Sequence, residues 1–247
     1  MSGGRPRSAR PGEANLRIGK LALATLSLLA LGACGGDPGG DAKPGMPASS
    51  AAPAPDAVRS AADQRRAEAA VLKLKDLGQG FRGAPQPPDP RADEDDAVLS
   101  ACLGRPPTRT RETAKALSQA FTSDDARRIR AGVSFVTTEA EAAADLQALL
   151  SDKAPKCLED VMRADIERQG TEAAVQVKRL PAPVPGSASL SIVINVKAEN
   201  GQGLPVITDY IAAAKGRGEV DVYFQEPNGH VNDTTVARAM KAMLARL

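Results

Sequence analysis

Cys34 is the residue whose surroundings point most directly to a chemical reaction. Its thiol follows Leu31-Gly32-Ala33, so two small residues separate an apolar run from the cysteine. A thiol is a nucleophile once it loses its proton, and small residues before it let a peptidase close on the backbone. This spacing predicts that Cys34 accepts a diacylglyceryl group, whose two acyl chains suffice for stable anchoring. Cleavage is expected between Ala33 and Cys34.

The segment before Cys34 has the build of an export signal. Residues 1–20 are polar and carry five bases, whereas residues 21–33 carry no charge. This order, ending in small residues, is typical of a signal peptide. As a helix, residues 21–33 span only about 20 Å of a hydrocarbon core about 30 Å thick, so a permanent membrane span is not expected.

Together, the leader and residues 31–34 resemble a bacterial lipoprotein signal with its lipobox. The alternative is a plain secretory leader that happens to contain a cysteine. We expect residues 1–33 to be the signal peptide. The mature protein is then held by lipid on Cys34 at the extracytoplasmic face of the cell membrane.

Two further cysteines, Cys102 and Cys157, remain in the exported part. Outside the cytoplasm two thiols permit one pairing, so we expect a Cys102–Cys157 disulfide. A redox-active pair or a metal site are the alternatives, but the two residues lack CxxC spacing and have no histidine nearby.

Recognisable catalytic patterns are absent from the sequence. The single histidine, His230, follows Pro227-Asn228-Gly229, a turn sequence, and is expected in a solvated loop. No Gly-x-Ser-x-Gly or HExxH pattern occurs. The acids Asp93–Asp96 are expected to begin a helix, with a calcium site as the alternative. No catalytic, cofactor-binding or metal-binding residue is predicted, although two converging carboxylates of a glycosidase would leave no sequence pattern.

The net charge argues against a nucleic-acid partner. The chain has 32 basic and 30 acidic residues. Five of these bases and one of these acids lie in residues 1–33, which leaves 27 basic and 29 acidic residues after cleavage. A nucleic-acid binder normally keeps a basic stripe to neutralise phosphates, and none stands out here.

Composition divides the mature chain into two parts. Residues 34–56 are rich in Gly, Pro, Ala and Ser, which predicts a flexible tether. Residues 57–247 are long enough for one domain with a proper core.

Periodicity and turn residues predict the elements of that domain. The expected helices are 57–74, 97–103, 138–150, 155–168 and 233–247. The expected strands are 115–122, 129–136, 175–177, 190–196, 204–213 and 220–225. Consecutive strands on short connections favour antiparallel pairing. We therefore predict a single α+β domain, with an antiparallel sheet of about five to six strands and helices packed mainly on one face.

Several segments resemble a known family of exported domains. They are residues 74–81 (LKDLGQGF), 99–106 (LSACLGRP), 134–141 (SFVTTEAE) and 151–158 (SDKAPKCL). They are similar in pattern to the extracellular sensor domains of mycobacterial-type receptor Ser/Thr kinases (PknH-like) and to related actinobacterial lipoproteins. The resemblance covers about residues 65–247 and implies an antiparallel sheet backed by helices, with a ligand cleft. The kinase sensors have two cysteine pairs where this chain has one.

Three functions remain open at this point. The first is a non-enzymatic ligand-binding or sensor-like module, with a small molecule or an envelope protein as its ligand. The second is an accessory protein of a cell-envelope complex, which would show an exposed apolar patch. The third is a cell-wall-directed hydrolase, which would show converging acids with perturbed pKa values. The sequence leaves the oligomeric state undetermined.

Overall fold

A computed structural model describes residues 55–87, 89–197, 203–226, 229 and 233–247 of the compact unit Ala51–Leu247. Its helices are α1 (Pro55–Ala70), α2 (Leu74–Leu77), α3 (Ala92–Leu103), α4 (Glu139–Leu150), α5 (Ala154–Arg168) and α6 (Asp233–Arg246). Its strands are β1 (Phe81–Ala84), β2 (Glu112–Leu117), β3 (Ala120–Ser123), β4 (Arg128–Val136), β5 (Ala173–Arg179), β6 (Ala188–Lys197), β7 (Gly203–Lys215) and β8 (Gly218–Glu226). No helix among these residues is long and apolar enough to cross a bilayer.

The eight strands form one antiparallel sheet in the order β1-β3-β4-β8-β7-β6-β5, with β2 also paired to β4. Strands β2 and β3 follow each other along the same edge of β4, since Leu117 pairs with Gly132 and Phe121 with Ile129. Ser118 lies at the break between them. Its side-chain oxygen accepts a hydrogen bond of 2.9 Å from the Ala131 N–H, so a side chain continues the ladder there.

One face of the sheet carries the larger core. Alternate residues of β4 and β8 point to this face, where α1 and α6 cover them. The central buried side chains are Val133, Phe135, Val220, Val222, Phe224, Met240 and Met243. Burying each such side chain contributes about 1.5–3 kcal/mol, so this layer is the main source of stability.

The first and last helices are clasped together on that face. The Arg246 guanidinium donates to the carbonyls of Ala70 and Val71 and pairs with Asp76 at 2.7 Å. In return Arg66 donates to the Leu247 carbonyl at 2.8 Å. The last turns of α1 are therefore joined to the end of α6 by hydrogen bonds.

Helices α3, α4 and α5 lie on the opposite face. A smaller apolar cluster is found there, made of Leu158, Val175, Val177, Leu190 and Ile192. Helix α4, predicted from residue 138 onwards, starts with a capping box, since Thr138 Oγ1 accepts from the Glu141 N–H and Glu141 Oε2 accepts from the Thr138 N–H. The smaller cluster fills only the β5–β6 side of this face.

The predicted α+β class is confirmed, but two details of the prediction were wrong. The sheet has eight strands rather than five to six, because β1 lies in a Gly- and Pro-rich segment and Ser118 splits the strand expected at 115–122. Helices cover both faces rather than mainly one. Helices α3, α4 and α5 cover the second face, and α4 lies over the polar face of β8.

Candidate functional site

A cleft of about 400 Å³ lies between the sheet and helices α3, α4 and α5. Strands β2, β4, β7 and β8 form its floor with Lys115, Arg130, Tyr210, Glu219, Asp221 and Tyr223. Its walls are mostly apolar and include Leu99, Leu146, Val161 and Met162. The cleft thus combines apolar walls with a charged and aromatic floor.

Helices α3 and α5 form a cross-linked wall. Cys102 and Cys157 are joined in the expected disulfide, with Cα atoms 5.7 Å apart. Two ion pairs link the same helices, because Arg91 lies just before α3 and contacts Asp165 at 2.7 Å, while Arg168 contacts Asp95 at 3.0 Å. These bonds fix α3 relative to α5.

The acids Asp93–Asp96 do begin a helix, since the first turn of α3 holds Asp93, Glu94 and Asp95. Asp93 and Asp96 also line the cleft. Among the described residues, no group of three or more His, Cys, Asp and Glu side chains is placed to hold a metal ion.

Asp145 on α4 is held by two arginines. Arg111 binds it in a bidentate manner, with N–O distances of 2.9 and 3.1 Å, and Arg105 contacts it at 2.9 Å. The Arg111 side chain is only 9% exposed. Burial alone would lower the pKa of Arg111, but the bond to Asp145 raises it, so the guanidinium stays charged. The ion pair fixes the orientation of the Asp145 carboxylate.

Glu219 on β8 faces this ion pair from the sheet. Burial and the negative charge of Asp145 raise the pKa of Glu219 to about 8. Ser134 Oγ donates to Glu219 Oε2 at 3.2 Å, while the buried Oε1 has no hydrogen-bond partner among the described residues. With this raised pKa, the Glu219 carboxyl keeps its proton at neutral pH.

Asp221, two residues further along β8, is a second buried acid of the floor. Burial raises its pKa, against the opposing effects of Lys115, Arg130 and a backbone hydrogen bond from Gly132. Burial also raises the pKa of Glu112, whose carboxylate lies 3.9 Å from Lys115 Nζ. The floor therefore holds three carboxyl groups, those of Glu112, Glu219 and Asp221, whose pKa values are raised.

Both tyrosines of the chain line the cleft. The ring centroids of Tyr210 and Tyr223 are 4.8 Å apart, and the Arg130 guanidinium lies 4.6 Å from the Tyr223 centroid. Burial raises the pKa of both phenols, which stay protonated and able to donate hydrogen bonds. The floor thus offers aromatic surface beside hydrogen-bond donors and acceptors.

Two of the predicted site residues, Ala33 and Cys34, lie outside the described residues, and so does His230, which is expected in a solvated loop. Sequence reasoning missed the residues around Asp145 and Glu219. The one signal available was the run Glu219, Asp221 and Tyr223, which alternates with apolar residues on β8. Such alternation is also typical of a strand with one face in solvent, so by itself it does not reveal a covered site.

Comparison with known proteins gives little further information. No family model and no curated protein matches the chain. Among solved structures, the extracellular domain of PknH from Mycobacterium tuberculosis is similar at 12% identity, with a TM-score of 0.44. The alignment covers 74% of this chain and 95% of that one. We base no inference about function or family on this likeness.

Proposed function

We propose that this chain is a membrane-anchored, extracytoplasmic lipoprotein whose domain binds a ligand in the cleft without transforming it, as a sensor-like module does. The cleft is the observation that carries the binding part of this proposal. Small-molecule sites are concave, mostly apolar and supplied with a few converging polar groups. The cleft is concave and has apolar walls, and its polar groups, more numerous than in most such sites, include Tyr210, Tyr223 and Asp221 on its floor.

The location outside the cytoplasm rests on other evidence. The leader 1–33 and the lipobox cysteine Cys34 support export and lipid attachment. A disulfide between Cys102 and Cys157 is consistent with an oxidising compartment, since such bonds are rare in the cytosol. Residues 34–56 serve as the tether in this proposal.

Recovery of bound molecules tests the cleft directly. The full chain is purified from membranes, its small molecules are extracted and they are identified by mass spectrometry. Ala214 lines the cleft beside Glu219, so Ala214→Phe places a ring in the ligand's space. Ala174 is exposed on β5, and Ala174→Phe adds the same ring elsewhere.

We expect a molecule that co-purifies with the wild type and with Ala174→Phe but is depleted at least tenfold in Ala214→Phe. Equal recovery from both variants would show that the cleft is not the binding site. Recovery of no molecule from any of the three proteins would contradict the binding function.

A cell-wall hydrolase is the second candidate, favoured by the acids of the floor. Glu219 has a pKa of about 8 and could hold a proton for a leaving group, while Asp221 lies on the same strand face. Cleavage of purified peptidoglycan that is lost in Glu219→Gln would favour this function. The accessory role has less support, since the large exposed apolar side chains of the described residues lie on four different elements, as Leu74, Val98, Leu117 and Leu150.

A further inference from the structure

We propose that the cleft takes an organic cation. Its protonated amine pairs with Asp221, and its apolar body packs against Tyr210, Tyr223 and the apolar walls. This inference rests on the proposed function, because it names the chemical class of the ligand for the same cleft. Neutral and anionic molecules with the same body are the ones that the cleft should bind less well.

The lining of the cleft carries more acids than bases. Eight Asp and Glu side chains line it, against four Lys and Arg side chains. Two arginines outside the lining, Arg111 and Arg168, pair with Asp145 and Asp95 and offset part of this excess. With Glu219 protonated, the lining and these two arginines together still carry one negative charge more than they carry positive charges. A lining of this kind favours a cation over an anion.

Asp221 is the acid of the floor that has no close counter-charge. Its partners across the sheet are Gly132 on β4 and Ala212 on β7, which offer no side-chain donor. The neighbouring bases point elsewhere, since Lys115 Nζ lies 3.9 Å from the Glu112 carboxylate and the Arg130 guanidinium lies over the Tyr223 ring. Within the described part of the chain, no side chain pairs with the Asp221 carboxylate.

The pKa of Asp221 agrees with that geometry. Burial raises the pKa, and the charges of Lys115 and Arg130 oppose the rise only from a distance. A carboxyl group behaves in this way when it has lost water without gaining a close cation. A bound ammonium group would supply the missing charge and favour the ionised carboxylate, which a neutral or anionic ligand cannot do.

Aromatic surface lies directly beside this carboxylate. Tyr223 is two residues from Asp221 and so points to the same face of β8. Its partner across the sheet is Tyr210, with the ring centroids 4.8 Å apart. The Arg130 guanidinium lies 4.6 Å from the Tyr223 centroid, so this ring already attracts one cation. Apolar side chains of α4 and α5 complete the surface for the ligand's body.

The arrangement of the acids fits an organic cation better than a metal ion. They lie on or beside α3, β2, α4 and β8, with apolar side chains between them. Among the residues that the structure describes, no three of them converge closely enough to hold a metal ion. A cleft of about 400 Å³ has room for a molecule with a sizeable apolar body.

Three molecules that share one body but differ in charge test this inference. They are 4-phenylbutylamine, 4-phenylbutanol and 4-phenylbutyrate, whose binding to the full chain is measured by calorimetry at pH 7. We expect the amine to bind about tenfold more tightly than the alcohol, because hydrogen bonds between charged groups are stronger than neutral ones, and the acid to bind least. Asp221→Asn keeps the shape without the charge and should bring the amine to the level of the alcohol. Asp152→Asn, at an exposed position between α4 and α5, should keep the preference.

Several results would overturn the inference. One is binding of the alcohol or the acid as tightly as the amine by the wild type, and another is no binding of the amine. An unchanged preference in Asp221→Asn would exclude this residue as the partner of the cation. Recovery of an anionic or neutral molecule from the membrane-purified protein would also overturn the cation but would leave the binding function standing. Recovery of no molecule at all would count against the binding function itself.

Discussion

The carboxylate of Asp221 lies directly over Gly132, its partner across β8 and β4. A β-carbon on Gly132 would lie 2.7 Å from Asp221 Oδ1 and 3.3 Å from Asp221 Cγ. The absence of a side chain at residue 132 therefore gives a buried acid its place on the floor of the cleft.

Gly132→Ala should destabilise the domain by about 1–3 kcal/mol, because the added methyl group displaces the Asp221 carboxylate. Urea unfolding measures the loss. Adding Asp221→Ser to Gly132→Ala should recover part of it, since the shorter side chain leaves room for the methyl group. Strictly additive effects of the two substitutions would contradict the contact.

Glu219 should make the domain less stable as the pH rises. Its pKa is raised from 4.5 to about 8, so the folded state binds the extra proton. The contribution of Glu219 to the free energy of unfolding is fully present below pH 4.5 and is lost progressively up to about pH 8. The loss is no more than about 1.4 kcal/mol per pH unit. Denaturant unfolding at several pH values should show this decline in the wild type and in Glu139→Gln, which changes an exposed acid on α4. Persistence of the same slope in Glu219→Gln would disprove the assignment.

A buried ion pair on the opposite face should respond in the opposite direction. Asp63 is 2% exposed and accepts from Arg217 at 2.6 and 2.9 Å and from Thr113 at 2.7 Å. Burial would raise the pKa of Asp63, but the bonds from Arg217 and Thr113 outweigh it and lower the value. Asp63 therefore adds to the free energy of unfolding at pH values above its pKa in the unfolded chain. This contribution is lost as the pH falls towards its pKa in the folded protein.

Arg217→Met should cost about 3–5 kcal/mol near neutral pH, because it leaves the Asp63 carboxylate buried without its partner. Thermal and urea unfolding measure the loss. The double variant Asp63→Asn with Arg217→Met should cost less than Arg217→Met alone. If the double variant is the less stable of the two, the isolated charge is not the cause.

Reduction of the disulfide should lower the free energy of unfolding by about 4 kcal/mol on the chain-entropy model, since the bond closes a loop across 55 residues. A Cys102→Ala, Cys157→Ala variant should behave like the reduced protein, and dithiothreitol should not destabilise it further. Cys34→Ala serves as the control, with unchanged unfolding. A large effect of dithiothreitol on the double variant would mean that another thiol is responsible.

Cys34→Ala should abolish membrane attachment. The wild type is expected in the membrane fraction with a mass increased by a diacylglyceryl group and lacking residues 1–33. The variant should lack that mass increase. Detergent extraction of the membranes should therefore release no lipidated form of it. A wild type that retains residues 1–33, or a variant that stays lipidated, would exclude Cys34 as the anchor.

The sequence was sufficient for the parts of the fold that depend on local rules. The capping box of Thr138 and Glu141 marked the start of α4, and the helix expected at 155–168 matches α5 within one residue. Alternation likewise predicted the strands at 129–136 and 220–225, which match β4 and β8 to within two residues. These features arise from neighbouring residues, which is why periodicity and capping reveal them.

The cleft could not be predicted, because its residues meet only through long-range packing. Arg105, Arg111, Asp145 and Glu219 span more than a hundred residues and belong to four separate segments. The polar face of β8 is typical of a solvated strand surface until a helix is known to cover it. Asp145 within α4 likewise gives no sign of the two arginines that bind it.

The clasp between α1 and α6 has a mechanical consequence if the chain is anchored through Cys34, as we propose. A pull arriving through the tether would enter at the start of α1. It would meet first the bonds of Asp63 to Thr113 and Arg217, and then the bonds of Arg66 and Arg246 at the end of the helix. The load would therefore be shared between the sheet and α6 before α1 could be drawn away.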